Sequence, residues 1–86
     1  MVHNYTPKGV CSQLITIELS DSGVIEQVSF MGVCHGNTQG VSALCKGMKA
    51  EEAIERLSGI DCRGRGTSCP DQLSLALKEA LNALNN

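Results

Sequence analysis

The 86-residue chain has no tryptophan, one tyrosine and one phenylalanine. Its core must come from Ile, Val, Leu, Met and Ala, and a single domain of this length is marginal without added support. A basic excess is also missing. Seven Lys and Arg against nine Asp and Glu leave a formal charge of −2, which argues against nucleic-acid binding. The pairs Lys46/Lys49 and Arg63/Arg65 are local and read as solvated surface. The sequence shows no signal peptide, no transmembrane run and no lipidation motif. The expectation is one domain over residues 1–86, cytoplasmic and without a membrane partner, in a compartment that keeps thiols reduced.

Against these absences stand five cysteines: Cys11, Cys34, Cys45, Cys62 and Cys69. None forms a C-x-x-C pair, so zinc-ribbon and thioredoxin-type motifs are excluded by spacing. The odd count and the lack of a secretion signal disfavour a disulfide framework. If the cysteines act together, the fold must gather them from distant points.

Residues 1–10 carry little signal; Pro7 and Gly9 suggest a turn, and His3 near the terminus reads as exposed rather than as a ligand. From residue 11 to 19 the chain alternates, with Cys11, Ile15, Ile17 and Leu19 on one face and Gln13 interrupting it, as in a half-buried strand. Asp21-Ser22-Gly23 signals a hairpin. A second strand follows over residues 24–31, with Val24, Val28 and Phe30 on one face. A hairpin centred between Ser22 and Gly23 pairs residues whose numbers sum to 45. Ile17 then faces Val28, Ile15 faces Phe30, and the same ladder extended puts Cys11 opposite Cys34. Directly paired Cβ atoms lie roughly 4.5–5.5 Å apart, near enough for two thiolates to share a metal. A one-residue bulge would break that geometry.

The turn Gly32-Val33-Cys34-His35-Gly36-Asn37 leads into a helical stretch that Asn37 or Thr38 could cap, running to about Lys46. His35 is a candidate fourth ligand, although adjacent residues usually point apart. Gly36 could contribute to an anion nest, a weaker reading than a simple strand-to-helix turn. Val41, Leu44 and Cys45 have helical spacing, which makes Cys45 a core residue. Gly47 ends that helix, and residues 49–57 form a short amphipathic one closed by Gly59. Its Glu51, Glu52 and Glu55 read as a solvated face. Residues 60–66 form a loop carrying Cys62. The last helix spans about 69–84, with Leu73, Ala76, Leu77, Ala80, Leu81 and Leu84 as its buried stripe. Leu75 lies on the polar side. One exposed Leu is ordinary; a homodimer or partner contact is the sharper reading.

The stretch organising the chain is Thr67-Ser68-Cys69-Pro70-Asp71-Gln72-Leu73. Thr67 or Ser68 supplies an N-cap oxygen, Asp71 stands three residues after Ser68 as in a capping box, and Pro70 fits the first turn. The arrangement aims the Cys69 sulfur at the positive end of a helix, a place suited to binding a metal or attacking an electrophile. The plain alternative is a capped helix with a small buried Cys.

Thr67-Ser68-Cys69-Pro70-Asp71 spells the signature of the TSCPD domain family. Gly9-Val10-Cys11-Ser12, the Gly32…Cys34…Gly36-Asn37 turn, Gly40, Gly47-Met48 and Ile60…Cys62 also resemble its short, stand-alone members. The resemblance covers nearly the whole chain. It places the family's motif cysteines on Cys11, Cys34, Cys62 and Cys69, leaves Cys45 outside, and implies a metal site. Related domains form the C-terminal part of adenosylcobalamin-dependent ribonucleotide reductases, and short members often carry the name ribonucleoside-diphosphate reductase. The resemblance thus implies a link to deoxyribonucleotide synthesis, with a ribonucleotide reductase as partner. The element order is also similar to U-type iron–sulfur cluster scaffold proteins, whose three ligands would fall on Cys11, Cys34 and Cys69. Here Ser12 and Gln13 stand where that pattern has an Asp, and Ser68 replaces a His, with Cys62 as the replacement ligand.

These readings predict an α+β fold, a small antiparallel sheet of two or three strands covered on one face by three helices. They predict a metal module ligated by Cys11, Cys34, Cys62 and Cys69. A closed four-thiolate site suits structural zinc, and an iron–sulfur cluster takes the same ligands. The rival reading is a thiol-redox or iron–sulfur transfer partner of a reductase, using a Cys62/Cys69 dithiol. Eighty-six residues are too few for a reductase barrel with its cobalamin and nucleotide sites. A structural module with incidental cysteines ranks third.

Overall fold

A computed structural model describes residues 1–8, 13–32, 35–60 and 68–85, with the backbone alone over 35–38. Three strands, β1 (Val2–Tyr5), β2 (Leu14–Leu19) and β3 (Ile25–Met31), precede three helices, α1 (His35–Cys45), α2 (Ala50–Leu57) and α3 (Cys69–Asn85). The strands form an antiparallel sheet in the order β1-β2-β3. This is the α+β architecture that the sequence pattern predicts.

Alternation in β2 decides the layering. Ile15, Ile17 and Leu19 are completely buried, while Thr16 and Glu18 point to the other face. Burial of such a row favours one register, because a one-residue slip would expose it. Ile15 pairs with Phe30 and Ile17 with Val28, as the sum-of-45 ladder requires. At the hairpin end the ladder shifts: Glu18 pairs with Gln27 but Leu19 with Ile25, leaving Glu26 as the extra residue of a bulge. The cause is the turn itself, where the Gly23 N–H donates to the Ser20 carbonyl at 3.0 Å and Gly23 takes φ +82°. The bulge corrects the face assignment of Val24. Ile25 takes the buried position beside Val28, and Val24 is only half-buried.

The N-terminal segment holds a strand that its composition did not signal. Val2 to Tyr5 pair residue by residue with Glu18 to Ile15. His3, expected to be exposed, has its Nε2 3.2 Å from Glu79 Oε1 of α3. A pair so near the surface contributes little energy, and it shows how β1 lies over the last helix.

Helices α1 and α3 lie against the sheet, and α2 packs chiefly on α3. The α3 stripe is as its spacing predicts: Leu73, Ala76, Leu77 and Ala80 are fully buried, with Leu81 and Leu84 half-buried against them. Leu75 is exposed. Two details of α1 differ from the sequence reading. It begins at His35, so Asn37 and Thr38 lie inside the helix rather than capping it. Leu44 is 78% exposed, whereas Cys45 is buried as expected. Gly47 at φ +90° turns the chain out of α1. Residues 47–50 then pair with the hairpin end: the Gly47 N–H donates to the Ile25 carbonyl, the Ile25 N–H to Met48, and the Ala50 N–H to Gly23, all at 2.8–2.9 Å.

Candidate functional site

The first turn of α3 is built as its sequence demands. Ser68 is the N-cap: its Oγ accepts from the Asp71 N–H at 3.1 Å, and its carbonyl accepts the helix bond from the Gln72 N–H at 2.8 Å. Pro70 occupies the first turn, where no N–H is needed. Cys69 is the first helical residue and is half-buried.

Two side chains of this turn reach across to other parts of the chain. Asp71 Oδ1 accepts the Gly59 N–H at 2.7 Å. Gln72, 5% exposed, uses Oε1 to accept the Lys8 N–H at 3.0 Å and the Tyr5 hydroxyl at 3.3 Å. Burial pushes the Tyr5 hydroxyl pKa up, helped by the carboxylates of Glu79 and Asp71, so the phenol keeps its proton and donates. On the sheet side, the Gln13 N–H donates to the Met31 carbonyl at 2.8 Å. Gly32, at φ +90°, lies against Gln13: a Cβ there would stand 3.0 Å from Gln13 Cγ. The regular ladder ends at the Leu14–Met31 pair, whose numbers still sum to 45, and the Gln13 N–H bond to Met31 is one residue off that sum.

Of the predicted ligands, only Cys69 lies within the described residues. Cys11, Cys34 and Cys62, the Cys11–Cys34 juxtaposition, and the His35 side chain lie outside them. Among the described residues no group of three or more His, Cys, Asp or Glu is placed to hold a metal ion. The described flanks make two sets of contacts. Lys8 precedes Cys11 by three residues, Gly59 precedes Cys62 by three, and both are bonded to the turn that carries Cys69. Gly32 precedes Cys34 by two and packs on Gln13, which follows Cys11 by two. Asp71 was legible as a capping residue, and its bond to Gly59 was not. Gln72 carried a signal that went unread: it stands four and eight residues before Ala76 and Ala80 of the buried stripe, so a buried amide needing partners could be anticipated there.

The family model for the TSCPD domain matches residues 1–81. The chain belongs to the TSCPD domain family. No curated protein and no solved structure matches it. The matched span of this TSCPD domain includes the three described strands, α1, α2 and most of α3, and takes in Cys11, Cys34, Cys62 and Cys69.

The fifth cysteine of this TSCPD domain is of another kind. Cys45 is 3% exposed, and burial raises its thiol pKa, which keeps it a neutral apolar residue. At about 1.5 Å of rise per residue it lies some 15 Å along α1 from His35. It borders an apolar groove of about 410 Å³ with Val41, Leu44, Met48, Ala53 and Leu57. No described helix is long and apolar enough to cross a membrane.

Proposed function

We propose that this TSCPD domain is a small metal-binding module ligated by Cys11, Cys34, Cys62 and Cys69. The observation that supports the reading is how the described residues nearest the cysteines are held. The segments holding three of these cysteines are fastened, within three residues of each thiol, to the turn of α3 bearing the fourth or to one another. Four thiols suit a soft or borderline metal, and zinc in a closed tetrahedral site is the preferred occupant, with an iron–sulfur cluster as the other. Bound zinc would contribute folding energy to a domain with a small aliphatic core. The chain's part is to deliver the thiols: α3 carries Cys69 in a capped first turn, and Asp71 and Gln72 of that turn hold Gly59 and Lys8, three residues before Cys62 and Cys11. A closed set of ligands fits a structural or electron-carrying role better than hydrolysis. By the family's likeness to the C-terminal part of adenosylcobalamin-dependent ribonucleotide reductases, the module serves in the cytoplasm beside such a reductase.

The test is metal content and visible absorption of protein purified without oxygen or chelator. About one zinc per chain, lost in both Cys11→Ser and Cys69→Ser, supports the reading. Iron with sulfide-to-iron charge-transfer bands moves cluster transfer to the front. A folded, metal-free protein with a reversible Cys62–Cys69 disulfide would overturn it in favour of the redox partner.

A further inference from the structure

Helices α1 and α2 line the apolar groove of about 410 Å³ that Cys45 borders. Val41 and Leu44, three apart on α1, and Met48 just after it carry the helix's apolar period out of the core and along this groove. Such a period marks a helix face that is covered. Yet Leu44 is exposed, and Val41, Met48 and Leu57 of α2 are only half-buried. One turn before Leu44, a Cβ on Gly40 would meet nothing within 4 Å, so this side of α1 has room for another backbone to approach. Charge decides which occupant fits. Among the described residues lining the groove, the charged ones are Glu52 and Arg56, exposed, one turn apart and paired with each other at 3.1 Å. A uniformly acidic or basic partner would meet one attraction and one repulsion here. A second copy turned by a two-fold axis presents the same pair in reverse order, so that each Glu52 meets the other copy's Arg56. The shape is self-complementary as well, because Leu44 projects beside a groove roomy enough to take the Leu44 of another copy.

We propose that the α1–α2 face is the interface of an isologous homodimer, in which Leu44 of each copy enters the groove of the other and Glu52 and Arg56 exchange partners across the axis. The proposal is independent of the four-cysteine site. Burial of Leu44 and the groove walls drives the association. An exposed pair four residues apart on a helix contributes little to the monomer, so its exchange for the equivalent pair across the axis costs little. At the rim the two charges fix the register and reject other orientations.

The experiment is sedimentation equilibrium of the full chain with reductant, over roughly micromolar to millimolar concentrations. The parent is expected to pass from monomer to dimer within that range. Leu44→Asp should weaken the dimer by roughly a hundredfold or more, as loss of a buried interface anchor does. The melting temperature of the dilute monomer should change little, because Leu44 is exposed there. Glu52→Arg and Arg56→Glu, each alone, set like charges against each other across the axis and should weaken association by about three- to tenfold. The two variants mixed, or both changes in one chain, bring opposite charges together again and should regain the parent's affinity. A parent that stays monomeric throughout, as expected if the groove serves a different protein, overturns the proposal. So does a dimer that Leu44→Asp leaves intact, or a pair of charge variants whose mixture associates no more tightly than either alone.

Discussion

Gly32 lies against the Gln13 side chain, so close that a methyl group in place of its hydrogen would come 3.0 Å from Gln13 Cγ and 3.1 Å from Cδ. Its φ of +90° is one that L side chains rarely adopt. This is where β3 ends and the chain turns towards Cys34. Gly32→Ala is therefore expected to lower stability by about 1–2 kcal/mol, most of it backbone strain. Denaturant titration checks this, and Gln13→Ala separates the parts. With the Gln13 side chain shortened, the contact with Cγ and Cδ is gone and the φ cost remains, so Gly32→Ala should cost less in that background without becoming neutral.

The cap at Ser68 gives a prediction whose order of effects is diagnostic. Ser68 is 4% exposed and its Oγ accepts the Asp71 N–H. Ser68→Ala leaves that amide without its cap, at about 1 kcal/mol, whereas Ser68→Gly costs only a few tenths. Inside a helix the ranking would be reversed, with Gly worse than Ala. Thermal unfolding of the two variants decides. A protein in which Gly proves the more harmful would show that position 68 acts as a helical residue and that the start of α3 is misassigned.

These two positions also mark what could be read from the chain and what could not. The cap, the α3 stripe, the Ile15–Phe30 and Ile17–Val28 pairs and the burial of Cys45 all rest on local patterns whose periods are those of helix and strand. Val24 was misplaced because the bulge at Glu26 follows from the turn geometry, which hydrophobic alternation does not encode. Strand β1 was missed because four residues with two polar side chains acquire their pairing only from β2 beside them. The bonds from Gln72 to Lys8 and from Asp71 to Gly59 join residues 64 and 12 positions apart. No spacing rule links such residues; only the packed sheet and helices bring them together.

Cys45 yields a pH dependence. Burial raises its pKa above the ordinary value of 9.0. A group whose pKa is higher folded than unfolded contributes stability that is complete below the unfolded value and is lost as pH rises through the folded one. Tyr5, raised from 10.0 mainly by burial and secondarily by Glu79 and Asp71, adds a loss of the same sign at higher pH. Stability should thus be flat on this account through neutrality and fall above about pH 9. Cys45→Ala should be less stable at pH 7, because it leaves a small cavity, yet show a shallower alkaline decline. Chemical denaturation from pH 7 to 10 reads both. An unchanged slope in Cys45→Ala would remove Cys45 from the account.

Metal removal tests how far the small core depends on the proposed site. The large side chains that are fully buried are Ile15, Ile17, Leu19, Ile25, Leu73 and Leu77, with no aromatic among them. Leu77→Ala should cost about 2–5 kcal/mol, a large share of the roughly 5–15 kcal/mol that holds an ordinary domain folded. Ligation of a metal by thiolates stabilises only the state in which the thiols are gathered, so its binding energy adds to folding. Leu77→Ala in the presence of chelator is therefore expected to unfold well below the parent's midpoint, and zinc to restore much of the difference. The same rescue should persist when Cys45→Ala is added, since Cys45 lies outside the proposed ligand set, and disappear when Cys69→Ser is added. Circular dichroism melts of these variants with and without zinc separate the cases. Rescue that survives Cys69→Ser would mean that zinc acts elsewhere, and the four-cysteine assignment would fall with it.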